Sequence, residues 1–203
     1  MGEEKPDARK RAMKNLREWI VSIAVALLIV FVVRTFVFTI IRVDGQSMQP
    51  TLYNNERLFV TVIDARIWGP SRGDIVICNY PGRYMTYLFG IRSKTYFVKR
   101  VVAVPGDTVS RKDGITSVTN ADAGEAVDLD AAFQGIYGGD DYTYTLARGE
   151  YFVVGDNRGN SHDSRDWNDS DPSRDVGPIT KDMIVGRVHA VIWPLNRIQF
   201  GIQ

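Results

Sequence analysis

The sequence predicts a mainly β protein held behind a single N-terminal transmembrane helix. Residues 19–33 are fifteen positions of which only Ser22 is polar, apolar all round rather than on one stripe. Beyond them, short runs of β-branched and aromatic residues are separated by Gly, Pro and Asp, and no strong helical periodicity returns. A chain of 203 residues has room for one membrane segment and one soluble domain of about 150–160 residues, enough for a full core.

Residues 1–18 are polar and carry six basic residues, Lys5, Arg9, Lys10, Arg11, Lys14 and Arg17. The apolar run gains length from Leu16 on one flank and a snorkelling Arg34 on the other, reaching the roughly 20 residues a bilayer needs. This assigns residues 19–36 to the span, with Trp19 at the interface. A cleaved signal peptide would also have a basic start, but Val33-Arg34-Thr35-Phe36 offers no small-x-small site. A buried soluble helix would show a polar face, which this one lacks. An uncleaved anchor fits best. The basic tail then stays in the cytoplasm, and residues 37–203 form an extracytoplasmic β domain.

Within that domain, strand character runs over residues 36–43, 57–63, 75–79, 96–104, 142–146, 151–154 and 184–193. Two stretches read as insertions. Residues 110–141, most clearly from Lys112 on, mix Gly, Asp, Thr and Ala as a surface excursion with room for a small subdomain. Residues 166–175 are acidic and polar, like a solvated loop. Residues 84–89 are apolar and end at Gly90, as core or as an exposed lip touching lipid or substrate.

Composition excludes several classes. A net charge of +1 provides no field to gather nucleic acid. The single Cys78 can form no internal disulfide or CxxC site and sits in an apolar run, as a small buried hydrophobe. One cysteine with two distant histidines, His162 and His189, does not make a zinc site, and no calcium loop is complete. No metal and no cofactor is expected.

Three stretches carry candidate chemistry. Gly45-Gln46-Ser47-Met48-Gln49-Pro50 holds a serine on a turn between strand-like runs, where its hydroxyl can point outward. Lys99 lies in a strand apolar on both faces, sharing one with Phe97, Val101 and Ala103. A desolvated lysine can lose its proton and serve as a general base, which an arginine such as Arg100 cannot. The third stretch, 155–165, is dense in short polar residues. Neighbours Ser161, His162 and Asp163 do not make a triad, because triad side chains converge from separate parts of a fold. A pairing of Ser47 with His162 stays open on these residues alone.

Taken in order, these stretches resemble the bacterial type I signal peptidases, in a Gram-positive-like form. Ser47-Met48-Gln49-Pro50-Thr51-Leu52 is similar to the nucleophile box, and Gly73-Asp74-Ile75-Val76 to the structural box after it. Phe97-Val98-Lys99-Arg100-Val101-Val102 with Pro105-Gly106-Asp107 resembles the general-base box. Gly155-Asp156-Asn157-Arg158 through Asn160-Ser161 and Asp163-Ser164-Arg165 resembles the last. The resemblance implies a signal-peptidase-type all-β catalytic domain in the bacterial cell membrane that cleaves signal peptides from secretory precursors after small-x-small sites, near the secretion machinery. It implies Ser47 as nucleophile, Lys99 as its neutral base and Ser161 as a hydrogen-bonding partner orienting Lys99. Asp163 and Arg165 match a structural ion pair. Gly45 stands where some members have a serine that completes the oxyanion hole beside the Ser47 N–H. Two related readings use the same boxes: a specialised maturation protease, and a silent pilus assembly factor, which would lack Ser47 or Lys99.

Overall fold

The computed structural model describes residues 8–86, 92–124, 126–129, 140–167 and 175–202. It divides into two units, Met1–Val37 and Phe38–Gln203. The first contains helix α1, Ala8–Phe36. It starts in the basic tail, so residue 19 marks where polarity changes and not where the helix begins. Its segment Met13–Val33 is 21 residues long and apolar enough to cross a membrane. At a rise of about 1.5 Å per residue, such a length matches the hydrocarbon thickness of about 30 Å.

The second unit is built of antiparallel strands. They are β1 (Phe38–Arg42), β2 (Arg57–Thr61), β3 (Ile75–Thr86), β4 (Arg92–Ala103), β5 (Thr108–Lys112) and β6 (Ile115–Thr119). Then follow β7 (Ala126–Asp128), β8 (Tyr142–Thr145), β9 (Glu150–Val154), β10 (Ile179–Thr180), β11 (Ile184–Trp193) and β12 (Gln199–Phe200). The main sheet runs β1-β2-β11-β3-β4-β9-β10 with β12 added on β11, and a second sheet runs β7-β6-β5-β8.

The structure corrects the sequence reading at three places. The strand expected over 57–63 stops at Thr61, because Asp64 turns the chain. It accepts hydrogen bonds from Thr61 Oγ1 at 2.5 Å and from the Ala65 N–H at 2.7 Å, opening the one-turn helix α2 (Ile63–Ile67). The 110–141 excursion contains an ordered sheet. Its β5–β6 hairpin turns on Asp113-Gly114, both with positive φ (53° and 78°), the geometry that Asp-Gly favours. That sheet is not a separate body, since Val109, Val118, Leu129 and Leu146 share a core with Ala103, Phe152 and Val154 of the main sheet. The start of the 166–175 stretch is not a solvated loop either. Trp167 packs 4.8 Å from Tyr142 and 5.1 Å from Tyr144, centroid to centroid. The remainder, 168–174, lies outside the described residues, as do 87–89 of the apolar stretch. Residues 84–86 extend the β3–β4 hairpin.

Two features of the main sheet prepare the site. Met48 and Leu52, on the turn after β1, are fully buried among Leu58, Val60, Ile75, Ile77 and Val191, so packing pins the turn that carries Ser47. Strand β4 pairs with β3 along most of its length but with β9 only from Arg100 onward. Among the described residues, its 92–99 stretch therefore keeps one edge open.

Candidate active site

Lys99 comes from the middle of β4, opposite Val76, and only 3% of it reaches solvent. Its Nζ lies 2.9 Å from Ser47 Oγ and 5.7 Å from the Phe97 ring centroid. Burial drives the amine below its ordinary pKa of 10.5, while the Asp163 carboxylate pulls it back and Arg165 pushes it further down. A partly desolvated amine beside a hydroxyl has the geometry for proton abstraction: donor and acceptor are within hydrogen-bond reach, and the base gives up its own proton readily.

Ser47 makes its side-chain bond to Lys99, and among the described residues no bond joins it to His162, the pairing left open by the sequence. His162 Nδ1 instead bonds Asp166 Oδ2 at 2.9 Å. His189 bonds Thr61 and Asp64 elsewhere, at 2.7 and 3.0 Å. The Ser47 backbone N–H has no acceptor among the described residues. Gly45 holds φ at +112°, a conformation that L side chains rarely adopt, and its N–H donates to Asn54 Oδ1 at 3.2 Å. That N–H is therefore occupied.

The loop after β9 closes over the turn. Gly155 is required there: a Cβ would sit 2.5 Å from the Ser47 carbonyl oxygen and 2.2 Å from Ser161 Oγ. Its N–H donates to Asp163 Oδ2 at 2.9 Å. Asp163 and Arg165 pair, Nε to Oδ1 and Nη2 to Oδ2, both at 2.9 Å and both side chains wholly buried. Arg165 also donates to the Arg158 carbonyl at 2.9 Å, which fastens the loop to itself. Ser161 departs from expectation. Its Oγ is buried against Gly155 and bonds neither Lys99 nor any other described group, because the Lys99 amine is directed to Ser47. Cys78 lines the same region as a neutral thiol, pushed up to about 12 by burial.

A brace that the sequence reading missed connects the strands. Arg100 grips Asp156 with two bonds of 2.8 Å and donates to the Gly73 carbonyl at 2.7 Å. Asp156 also accepts from Thr51 Oγ1 at 2.6 Å, so one carboxylate joins β4 to the nucleophile turn. Burial works to raise the Asp156 carboxyl, but the bonds from Arg100 and Thr51 outweigh it and hold it low. Asn157 adds two more ties, its N–H to the Ser47 carbonyl at 2.9 Å and its amide to the Gln46 carbonyl at 3.1 Å. The alternation of β4 was a usable signal. It left Arg100 facing Val98 and Val102, where a cation needs a carboxylate partner.

The arrangement is a serine hydroxyl on a fixed turn against a buried amine, and comparison with known proteins gives the class. The family described as signal peptidase, peptidase S26, matches residues 16–193. The chain belongs to that family. It is 37% identical to signal peptidase I P of Bacillus subtilis subsp. natto over 202 residues, covering 95% of this chain and 97% of the relative. Signal peptidase I T of Bacillus subtilis (strain 168) is 35% identical over 98% of both chains. Signal peptidase IB of Staphylococcus aureus (strain MRSA252) is 32% identical over 93% of this chain and 95% of its own. A crystal structure of a signal peptidase I from Enterococcus faecalis V583 covers 58% of this chain and 95% of its own, at 24% identity and a TM-score of 0.35.

Proposed function

We propose that the protein is a membrane-anchored endopeptidase that removes N-terminal signal peptides from exported precursors, with Ser47 as nucleophile and Lys99 as general base. The observation that carries this reading is the 2.9 Å approach of Lys99 Nζ to Ser47 Oγ in a pocket where the amine is almost wholly buried. Helix α1 spans the bacterial cell membrane with its basic end in the cytoplasm, and the β domain works on the outer side.

The precursor adds as a strand along the open edge of β4, which presents its own N–H and C=O groups before Arg100. Ser47 Oγ attacks the scissile carbonyl carbon while its proton passes to the neutral Lys99 amine. The tetrahedral oxyanion takes a hydrogen bond from the Ser47 N–H, a donor of a kind worth about 10²–10³ in rate. The Lys99 ammonium then protonates the departing amine, leaving an acyl ester on Ser47 and a neutral lysine. A water that gives its proton to Lys99 attacks the ester, and the ammonium returns that proton to Ser47 as the leader leaves. Small residues precede the cut, and membrane lipid together with the secretion machinery keeps substrate and enzyme on one surface.

The test is incubation of the detergent-solubilised protein with a precursor bearing an Ala-x-Ala leader. Mass spectrometry of the products is expected to show one cut after the second alanine, absent with Ser47→Ala. A folded wild type that cuts no such leader would refute the reading.

A further inference from the structure

Two peptide units flank the Ser47 Cα, and one residue outside the turn grips them both. Asn157, in the loop after β9, donates its backbone N–H to the Ser47 carbonyl at 2.9 Å. Its side-chain amide donates to the Gln46 carbonyl at 3.1 Å. A carbonyl oxygen only accepts, so the nitrogen of that amide is the atom facing Gln46.

The consequence of the side-chain bond follows from peptide geometry. The Gln46 C=O and the Ser47 N–H belong to one planar trans unit, so they point opposite ways and turn together. A donor fixed on the Gln46 oxygen therefore fixes the aim of the Ser47 N–H, which has no acceptor of its own among the described residues. Hydrogen bonds weaken steeply as the N–H turns away from its acceptor, so aim decides what this donor contributes. The Gln49 N–H reaches the same Gln46 oxygen at 3.1 Å, but Gln49 belongs to the turn and moves with it. Asn157 is anchored elsewhere. Its neighbour Asp156 is held by Arg100 and Thr51, and its own carbonyl accepts the Asn160 N–H at 2.9 Å. A substitution of the Asn157 side chain releases the peptide unit before Ser47 and leaves the backbone bond to the unit after it.

We propose that Asn157 is a positioning residue of the oxyanion site: its amide, bonded to the Gln46 carbonyl, orients the peptide unit whose other end is the Ser47 N–H. The inference rests on the reading of Ser47 as the nucleophile. Asn157 acts through that peptide unit and exchanges no proton with the substrate.

The experiment compares two peptide ligands on the full chain in detergent, one ending in the aldehyde Ala-x-alaninal and one in its alcohol, Ala-x-alaninol. With the aldehyde, Ser47 Oγ bonds the carbonyl carbon, its proton passes to Lys99, and the aldehyde oxygen becomes the oxyanion. The alcohol has no carbonyl to present. Asn157→Ala is expected to weaken aldehyde binding about tenfold or more, part of the roughly 10²–10³ that losing such a donor costs. Asn157→Asp, which keeps the shape but has a carboxylate that cannot donate, is expected to do the same and serves where the alanine variant does not fold. Alcohol binding is expected to stay unchanged, and kcat on an Ala-x-Ala precursor to fall with KM unmoved. Equal weakening of aldehyde and alcohol would mark the Asn157 side chain as a support of the fold alone. Unaltered aldehyde binding would show that the Ser47 N–H needs no such aim. Either result overturns the proposal. A wild type that cleaves no leader and binds the aldehyde no better than the alcohol defeats the peptidase reading itself. A wild type that does both, with variants equal to it, defeats only the role given to Asn157.

Discussion

Lys99 is a lysine that the fold keeps at a cost. Between its folded pKa and the ordinary 10.5 the unfolded chain binds a proton that the folded chain does not, so this residue's contribution to stability rises with pH across that window. At neutral pH the contribution is unfavourable. Lys99→Met, similar in length and without the charge, is therefore expected to raise Tm by a few degrees at pH 7 while abolishing cleavage, as read by calorimetry and a precursor assay. A lower Tm would mean that the amine stabilises the fold, against its burial among Phe97, Cys78 and Val101. Ser161 adds a smaller cost of the same sign. A buried hydroxyl without a partner costs about 1–3 kcal/mol, and here it stands where a Cβ on Gly155 would collide with it.

At the scale of elements, the site depends on how β4, the nucleophile turn and the loop after β9 are tied. Asp156 is the knot, since Arg100 and Thr51 both bond to it. Its carboxyl is held below the ordinary 3.8, so the stability it contributes is present above that pH and is lost as pH falls through the lower folded value. Asp156→Asn is expected to lower kcat about tenfold or more through displacement of Ser47, with KM nearly unchanged, and to narrow the gap in acid stability between pH 6 and pH 3. Steady-state kinetics beside acid unfolding curves would check both.

Much of this was legible in the chain. The apolar run without a polar face gave α1, and runs of β-branched and aromatic residues gave β2, β4 and β11. The serine turn and the buried lysine stood out because Gly45, Pro50 and the apolar faces of β4 are unusual company for them. The rest depends on contacts remote in sequence. Residue 99 meets residue 47 only after β3 and β4 have paired, and the partner of Arg100 lies beyond the whole second sheet. Alternation in Thr108–Lys112 and Ile115–Thr119 across Asp113-Gly114 was visible and was passed over, because Thr, Ser and Lys dilute the apolar signal on a half-buried hairpin. Strands β10 and β12 have two residues each and leave no pattern to read.

At the scale of the molecule, and among the described residues, Phe38–Gln203 contains the three apolar cores and the residues of the site. The domain is expected to fold without the anchor. A chain beginning at Phe38 should give a cooperative thermal transition and cleave a short Ala-x-Ala peptide at a rate within about threefold of the full chain. On a precursor in vesicles its rate should fall by about 10² or more, because tethering raises effective concentration without adding a contact. An equal loss on the peptide and on the vesicle-bound precursor would mean that the helix supports the fold.

The central claim is that Ser47 is activated by an amine able to shed its proton, and Lys99→Arg tests it most directly. Arginine fills the same strand position with a permanent cation that cannot accept the serine proton. The measurement is single-turnover cleavage of an Ala-x-Ala precursor by wild type and Lys99→Arg at pH 8, with both chains checked for the same circular dichroism. The account expects a loss of about 10³ or more, the contribution of a positioned general base. A variant that keeps a tenth of the wild-type rate would show that position 99 supplies only positive charge, and that the base for Ser47 lies elsewhere.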